Sequence, residues 1–228
     1  NPGLYNGPYV IADMARGRYV TLTQNPYWQG KQPYFDSVHI EAIENSAALT
    51  SRLLSGEIDY IAGELGLSID QALSFEKRIN RQHQGEYSVT YRPGLIYEHM
   101  DIKAEHMFLR DKAVRQAVMW GMNRAAISQQ LFGGKQPVAS SFVNPLDTYY
   151  TSNTAHYDYD PDKAIEMLKK AGFKRQKDGY FYDDENRKLA FTLTTTAGDK
   201  TRMIVAQAIQ SDLKHIGIDM TIKTQTPR

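Results

Sequence analysis

The chain has 228 residues, with 27 Lys and Arg against 26 Asp and Glu, no Cys, and hydrophobic and aromatic contents of 41% and 11%. That apolar content builds a packed core and excludes wholesale disorder, while a net charge of +1 provides no excess to drive binding to nucleic acid or anionic membrane. The absence of Cys excludes disulfides, thiolate metal sites and a Cys nucleophile together. No run approaches the roughly 18 apolar residues of a membrane span. Asn1-Pro2-Gly3 opens the chain without Met, and the alternating run Ile218 to Thr224 sits close against Thr226-Pro227-Arg228. The expectation is a piece of a longer protein.

From the start to residue 45 the pattern is that of strands. Tyr19 to Thr23 and Ser37 to Ile43 alternate apolar and polar residues, as half-buried strands do. Between them Asn25 to Pro33 is dense in turn formers and aromatics. From Ser46 the period becomes helical, with Ala47, Leu49, Leu53 and Leu54 on one face and Gly56 where a helix-terminating glycine belongs. Ile58 to Ile61 then predicts a short buried strand. Ser68 caps a second predicted helix running to about Gln82, with Leu73, Phe75 and Ile79 as apolar contacts. Tyr87 to Tyr91 and Leu95 to Ile102 predict two strands, and Pro93-Gly94 between them is the candidate boundary between structural units.

The second half is more regular. Asp111 caps a predicted helix to about Met122, with Val114, Ala117, Val118 and Gly121 on one face. Asn123 starts another, Arg124 to Phe132, closed by Gly133-Gly134. Residues 137–159 hold Pro, Ser, Asn and Tyr without periodicity and predict a long loop, a length that in compact domains usually serves function or wraps something. Asp160-Pro161 starts the next helix, which ends at Gly172. Tyr180–Tyr182 and Leu189–Thr195 flank a polar turn and predict a hairpin. Strand 189–195, helix 200–215, Gly217 and strand 218–224 form a βαβ unit with parallel strands.

Few groups suggest chemistry. His156, Asp158 and Asp160 alternate along a loop, but Asp160 is accounted for as a cap. Asp183-Asp184-Glu185 lacks the glycine and ligand spacing of a calcium loop. His99 and His106 lie too far apart in sequence for the helical i, i+4 zinc pair. No Gly-x-Ser-x-Gly elbow occurs, and Gly133-Gly134-Lys135 follows a helix, where the dipole disfavours an anion. Residues 1–92 hold 8 basic and 10 acidic side chains and residues 93–228 hold 19 and 16, so neither half singles out a charged partner. Alternation in Tyr97 to Ile102 sends Tyr97, His99 and Asp101 to one face, which suits a ligand cleft and plain solvent exposure equally.

Several stretches together resemble the extracytoplasmic solute-binding proteins, family 5, of peptide/nickel-type ABC importers. Asn6-Gly7-Pro8-Tyr9 looks like the family's G-x-G-P-Y, with the first glycine out of register. Asn25 to Asp36 is similar to its N-x-x-Y-W-G-x-K-P-x-x-D, and Leu53-Leu54-Ser55-Gly56-Glu57-Ile58-Asp59 matches L-x-x-G-E-[VI]-D. Asp111 to Ala117 with Met122 to Ile127 matches D-x-x-V-R-Q-A followed by [IV]-[ND]-R-x-x-I, and Tyr159 to Ala164 with Leu168, Ala171 and Gly172 matches Y-D-P-x-K-A-x-x-L-L-x-x-A-G. The five occur in the family's order. Read from the residues alone, most are structural: Arg115 is placed for an i, i+4 ion pair with Asp111, and Asn123 is a cap.

The resemblance implies a mixed α/β (α+β) fold of the periplasmic-binding-protein-like type II, two lobes joined by a hinge and closing over a ligand, present here as a partial chain. Residues 1–92 would belong to the discontinuous first lobe and 93–228 to the second, with the hinge near 92–100. It implies capture of a small solute, with oligopeptides first, for a membrane permease of an ABC importer. It further implies a periplasmic or other extracytoplasmic location with room for a lipid anchor, a monomer, no nucleic acid, no cofactor, no metal site and no catalytic residue. The acidic residue that pairs with a peptide amino terminus in peptide binders would lie in the part C-terminal to this chain. On that reading Tyr97 and His99 face the ligand, and Gly94 and Leu95 offer backbone contacts. The alternatives are a ligand-sensing domain of a transcriptional regulator built on the same scaffold and, ranked last, a glycosidase with paired carboxylates.

Overall fold

A computed structural model describes residues 4–43, 45–63, 66–83 and 85–226; the terminal Asn1-Pro2-Gly3 and Pro227-Arg228 lie outside the described residues. The chain divides into two compact units, Asn1–Phe75 and Glu76–Arg228. No described helix is long and apolar enough to cross a membrane.

In the first unit, β1 (Tyr9–Ala15), β2 (Tyr19–Gln24) and β3 (Ser37–Glu41) form an antiparallel sheet in that order. A register shift between Ile11 and Asp13 lets Met14 pair with Val20 and Ile11 with Leu22, so these four apolar residues stay on one face. The loop after β2 is closed by its own motif residues. Asn25 Nδ2 donates to the Gly7 carbonyl at 2.9 Å, Trp28 Nε1 to the Lys31 carbonyl at 2.9 Å, and the Tyr9 hydroxyl to the Phe35 carbonyl at 2.9 Å. Helix α1 (Ser46–Leu54) begins at Asn45, whose side chain accepts from the Ala47 and Ala48 amides. Arg52 near its end bridges Glu41 at 2.6 Å and Glu57 at 2.8 Å, and the hydrogen bond from Arg52 holds the Glu41 carboxyl below its usual value.

The expected strand at Ile58–Ile61 does not form. The amides of Glu57 and Ile58 turn back to the Arg52 carbonyl, and Tyr60 is 78% exposed. The segment therefore finishes the helix cap instead of entering a sheet. Helix α2 (Ile69–Gln82) buries Phe75 and Ile79 as expected, and the Gln71 side chain accepts from the Ser68 amide at its start.

In the second unit α3 (Lys112–Gly121), α4 (Arg124–Phe132), α5 (Pro161–Lys170) and α6 (Lys200–His215) start at Asp111, Asn123, Asp160 and Asp199, each of whose side chains accepts a first-turn amide. Strands β6 (Ala190–Thr196) and β7 (Asp219–Gln225) pair in parallel across α6, as the βαβ pattern predicts. The core gathers Val114, Ala117 and Val118 of α3, Ala164 and Leu168 of α5, Leu213 of α6, and Phe181, Leu189, Ile216 and Ile218, all at most 3% exposed. Gly121 permits this packing, since a Cβ there would lie 2.5 Å from Ile216 Cδ1.

Three helices end alike. After α1, α5 and α6 the amides of Gly56, Gly172 and Gly217 reach the carbonyls of Leu53, Lys169 and Lys214. The next residues, Glu57, Phe173 and Ile218, reach Arg52, Leu168 and Leu213. Each glycine has positive φ, between 76° and 95°. This is the Schellman arrangement, and it satisfies the last carbonyls while turning the chain.

The predicted hairpin is altered. The turn at 183–187 forms, with the Asp183 carboxylate accepting from the Glu185 and Arg187 amides. However, β5 (Phe181–Tyr182) takes its ladder partner from β4 (Lys174–Arg175), and only the bridge Tyr182–Lys188 joins it to the far side of the turn. A two-residue strand has too few positions to advertise itself by alternation. Tyr87–Tyr91 and Leu95–Ile102 carry no ladder either. Alternation marks faces, but a strand also needs a partner backbone to bond, and these segments form no ladder among the described residues.

Candidate functional site

The segment from Gly94 to Asp101 keeps the two-residue alternation without being a strand. On one side the Tyr97 and His99 rings stack with centroids 4.8 Å apart and planes tilted by 32°, and His99 Nε2 lies 3.5 Å from Asp101 Oδ1. On the other side Glu98 accepts from Arg202 Nη2 at 2.8 Å, and Met100 packs against the core. Arg202 also donates to Thr196 Oγ1 at 2.7 Å. The start of α6 thus holds the segment by Glu98 and leaves Tyr97 and His99 facing outward, where two ring faces and an imidazole offer stacking and hydrogen bonding to a ligand.

Of the four residues expected to bind ligand, the side chains of Tyr97 and His99 come together. Leu95 points outward and is 71% exposed. The Gly94 backbone is already in use, since its carbonyl accepts from Asn144 Nδ2 at 2.7 Å. Three residues that position this face, Asn144, Glu98 and Arg202, escaped the sequence reading. Asn144-Pro145 signals a turn, but no local pattern reports a bond to a residue fifty places earlier.

The long loop 137–159 is ordered from its base. Arg124, the arginine of the [ND]-R-x-x-I stretch, donates to the Ala139 carbonyl at 3.1 Å and to the Tyr157 carbonyl at 2.7 Å. Burial pulls its guanidinium below the ordinary value, with the Asp158 charge opposing. Trp120 meets the Tyr157 ring edge-on at 5.2 Å and carries Lys163 Nζ 3.6 Å above its own ring. Tyr91 lies under Lys135 Nζ at 4.7 Å and donates to Glu76 at 3.3 Å. Burial and then the Glu76 charge push its hydroxyl up to about 12.

The expected ion pair between Arg115 and Asp111 is absent. Arg115 Nη1 instead donates to the Leu109 and Arg110 carbonyls at 2.8 and 2.9 Å, while Asp111 accepts from the Ala113 amide. The carboxylate is committed as a helix cap, and the guanidinium gains more from two carbonyls that lack helical partners. Asp160 is likewise a cap, accepting from the Lys163 amide at 2.9 Å. No group of three His, Asp or Glu is placed to hold a metal among the described residues. A surface hollow between α6 and β7, lined by Tyr180, Gln207, Lys214 and Asp219, shares no residue with the 94–101 segment.

Residues 2–228 match the family described as bacterial extracellular solute-binding proteins, family 5 Middle. The chain is 30% identical over 223 residues to the oligopeptide-binding protein AppA of Bacillus subtilis, covering 96% of this chain and 39% of that protein. It superposes with a TM-score of 0.64 and 27% identity on the oligopeptide-binding protein of Thermus thermophilus complexed with a pentapeptide, covering 96% of this chain and 38% of that one. NikA of Brucella suis in complex with Fe(III)-EDTA shares the fold, with a TM-score of 0.75 at 21% identity over 96% of this chain and 43% of that one. The chain therefore spans about two fifths of the length of these relatives.

Proposed function

Since the chain belongs to the bacterial extracellular solute-binding proteins of family 5, we propose that the whole protein captures oligopeptides and delivers them to the permease of an ABC importer. Residues 1–92 contribute to the first lobe and 93–228 to the second, and the chain crosses the hinge near 92–100. Affinity comes from burying the ligand between the lobes, and no bond is made or broken. Tyr97 and His99 meet the ligand, with Gly94 and Leu95 beside them. The protein works as a monomer on the outer side of the cytoplasmic membrane.

The observation that carries this reading is the 30% identity to a relative named for oligopeptide binding across 96% of the chain. The stacked pair Tyr97 and His99 supports it, because a flat aromatic face beside an imidazole suits peptide groups. A thermal-shift screen of the full-length protein against a pentapeptide, a nonapeptide, oligosaccharides and metal chelates tests the ligand class. A ligand at one hundred times its Kd stabilises the folded state by about 2.7 kcal/mol, enough to raise Tm by a few degrees. The expected result is a rise with the peptides alone. A rise with a chelate or a sugar and none with peptides would overturn the peptide reading.

A further inference from the structure

Asn144 stands at a crossing of two parts of the chain. Its Nδ2 donates to the Gly94 carbonyl at 2.7 Å, while its Oδ1 accepts from the Leu146 amide at 2.9 Å. Its own carbonyl accepts from the Asp147 amide at 2.9 Å, and Asp147 in turn receives the Tyr149 amide at 2.8 Å. These turns fold the tip of the 137–159 loop around one residue. The loop's base is held by Arg124, so base and tip are both fixed and the tip is tied to Gly94.

The consequence lies in what the bond brings together. Leu146 is 61% exposed and Tyr149 is 86% exposed at the loop tip, and Leu95, next to Gly94, is 71% exposed. A single exposed apolar side chain is ordinary; here the Asn144–Gly94 bond joins the two short stretches that carry all three. The Gly94 carbonyl belongs to the same peptide plane as the Leu95 amide. Fixing it therefore orients the chain that leads to Tyr97 and His99.

We propose that Asn144 is a positioning residue of the ligand face. It holds the Gly94–Leu95 peptide so that Tyr97 and His99 present their stacked rings, and it sets Leu146 and Tyr149 beside them. A bound peptide then places its backbone along the polar rings and an apolar side chain against the loop tip. This rests on the ligand face assigned under the proposed function.

The test uses Asn144→Asp in the full-length protein. The substitution keeps an oxygen for the Leu146 amide and replaces the donor to Gly94 with an oxygen that repels the carbonyl. Two readouts are taken: the rate of chymotryptic cleavage after Leu95 and Tyr97 in the unliganded protein, and calorimetric Kd for a leucine-rich pentapeptide. The expected result is faster cleavage at these two sites and a Kd at least fivefold weaker, with Tm changed by no more than about 2 °C. Unchanged cleavage overturns the clamp. Faster cleavage with an unchanged Kd overturns its role in binding, as does a weaker Kd accompanied by a large fall in Tm. Should the unsubstituted protein bind no pentapeptide, the peptide reading falls, and the cleavage readout alone still upholds or overturns the clamp.

Discussion

Replacing Gly217 by alanine in the full-length protein is expected to lower unfolding stability by about 3 kcal/mol, read as a shift of the urea midpoint for the second unit. Two costs combine. Gly217 has φ 86°, and an L side chain in the left-handed region costs about 1–2 kcal/mol. A Cβ there would also lie 2.6 Å from Phe181 Cδ2 and 3.0 Å from the Gly179 carbonyl oxygen. Phe181 is wholly buried, and its amide donates to the Gly217 carbonyl at 2.8 Å, so neither neighbour yields easily; overpacking of this kind costs about 1–3 kcal/mol. Gly172 provides the control. It has φ 95° and the same helix-ending role, but nothing lies within 4 Å of its Cβ position. Gly172→Ala should therefore cost only the conformational part, about 1–2 kcal/mol, and equal losses at the two sites would show that the contact with Phe181 is unimportant.

Arg124→Ala is expected to cost about 2–4 kcal/mol and to open the 137–159 loop to proteolysis. Hydrogen bonds from a charged donor contribute about 1.5–3 kcal/mol each, and Arg124 makes one at each end of the loop. Its removal leaves the half-buried Tyr157 carbonyl short of a donor, leaves the exposed Ala139 carbonyl to water, and unties both ends of the loop from the start of α4. Arg124→Lys should recover only part of the loss, because an ammonium on a flexible stem does not reproduce the fork that spans two carbonyls. Limited proteolysis with mapping of the cut sites checks this. Cleavage confined to 137–159 is the expected pattern, and an unchanged digest would contradict it.

What could be read from the residues follows from how local each device is. Asp111, Asn123 and Asp160-Pro161 announced helix starts because a cap is a matter of one side chain and the next three amides. The βαβ unit was equally plain, since β6, α6 and β7 each show their own period. Alternation at Tyr87–Tyr91 and Leu95–Ile102 points to strands that do not form, for the same reason: alternation is local, while a ladder depends on a distant partner. Strand β4 was invisible because two residues carry no period. The candidate face divides along the same line. Tyr97 and His99 could be placed together by alternation, whereas the ties from Asn144 to Gly94 and from Arg202 to Glu98 join residues 50 and 104 places apart. Arg115 shows a subtler limit, because its i, i+4 spacing from Asp111 was right but both groups had better partners in carbonyls and amides.

Under the proposed function, the outward face of Tyr97 and His99 takes the ligand. Calorimetric titration of a pentapeptide into the full-length protein and into its Tyr97→Ala/His99→Ala variant separates this face from any other. Both side chains are exposed, and neither belongs to the buried core, so Tm should stay within about 2 °C of the unsubstituted protein. Loss of an aromatic contact and a hydrogen-bonding ring at a ligand face removes about 2 kcal/mol or more of binding, which predicts a Kd at least thirtyfold weaker at unchanged stability. An unchanged Kd would contradict the assignment and move the ligand face elsewhere in the protein.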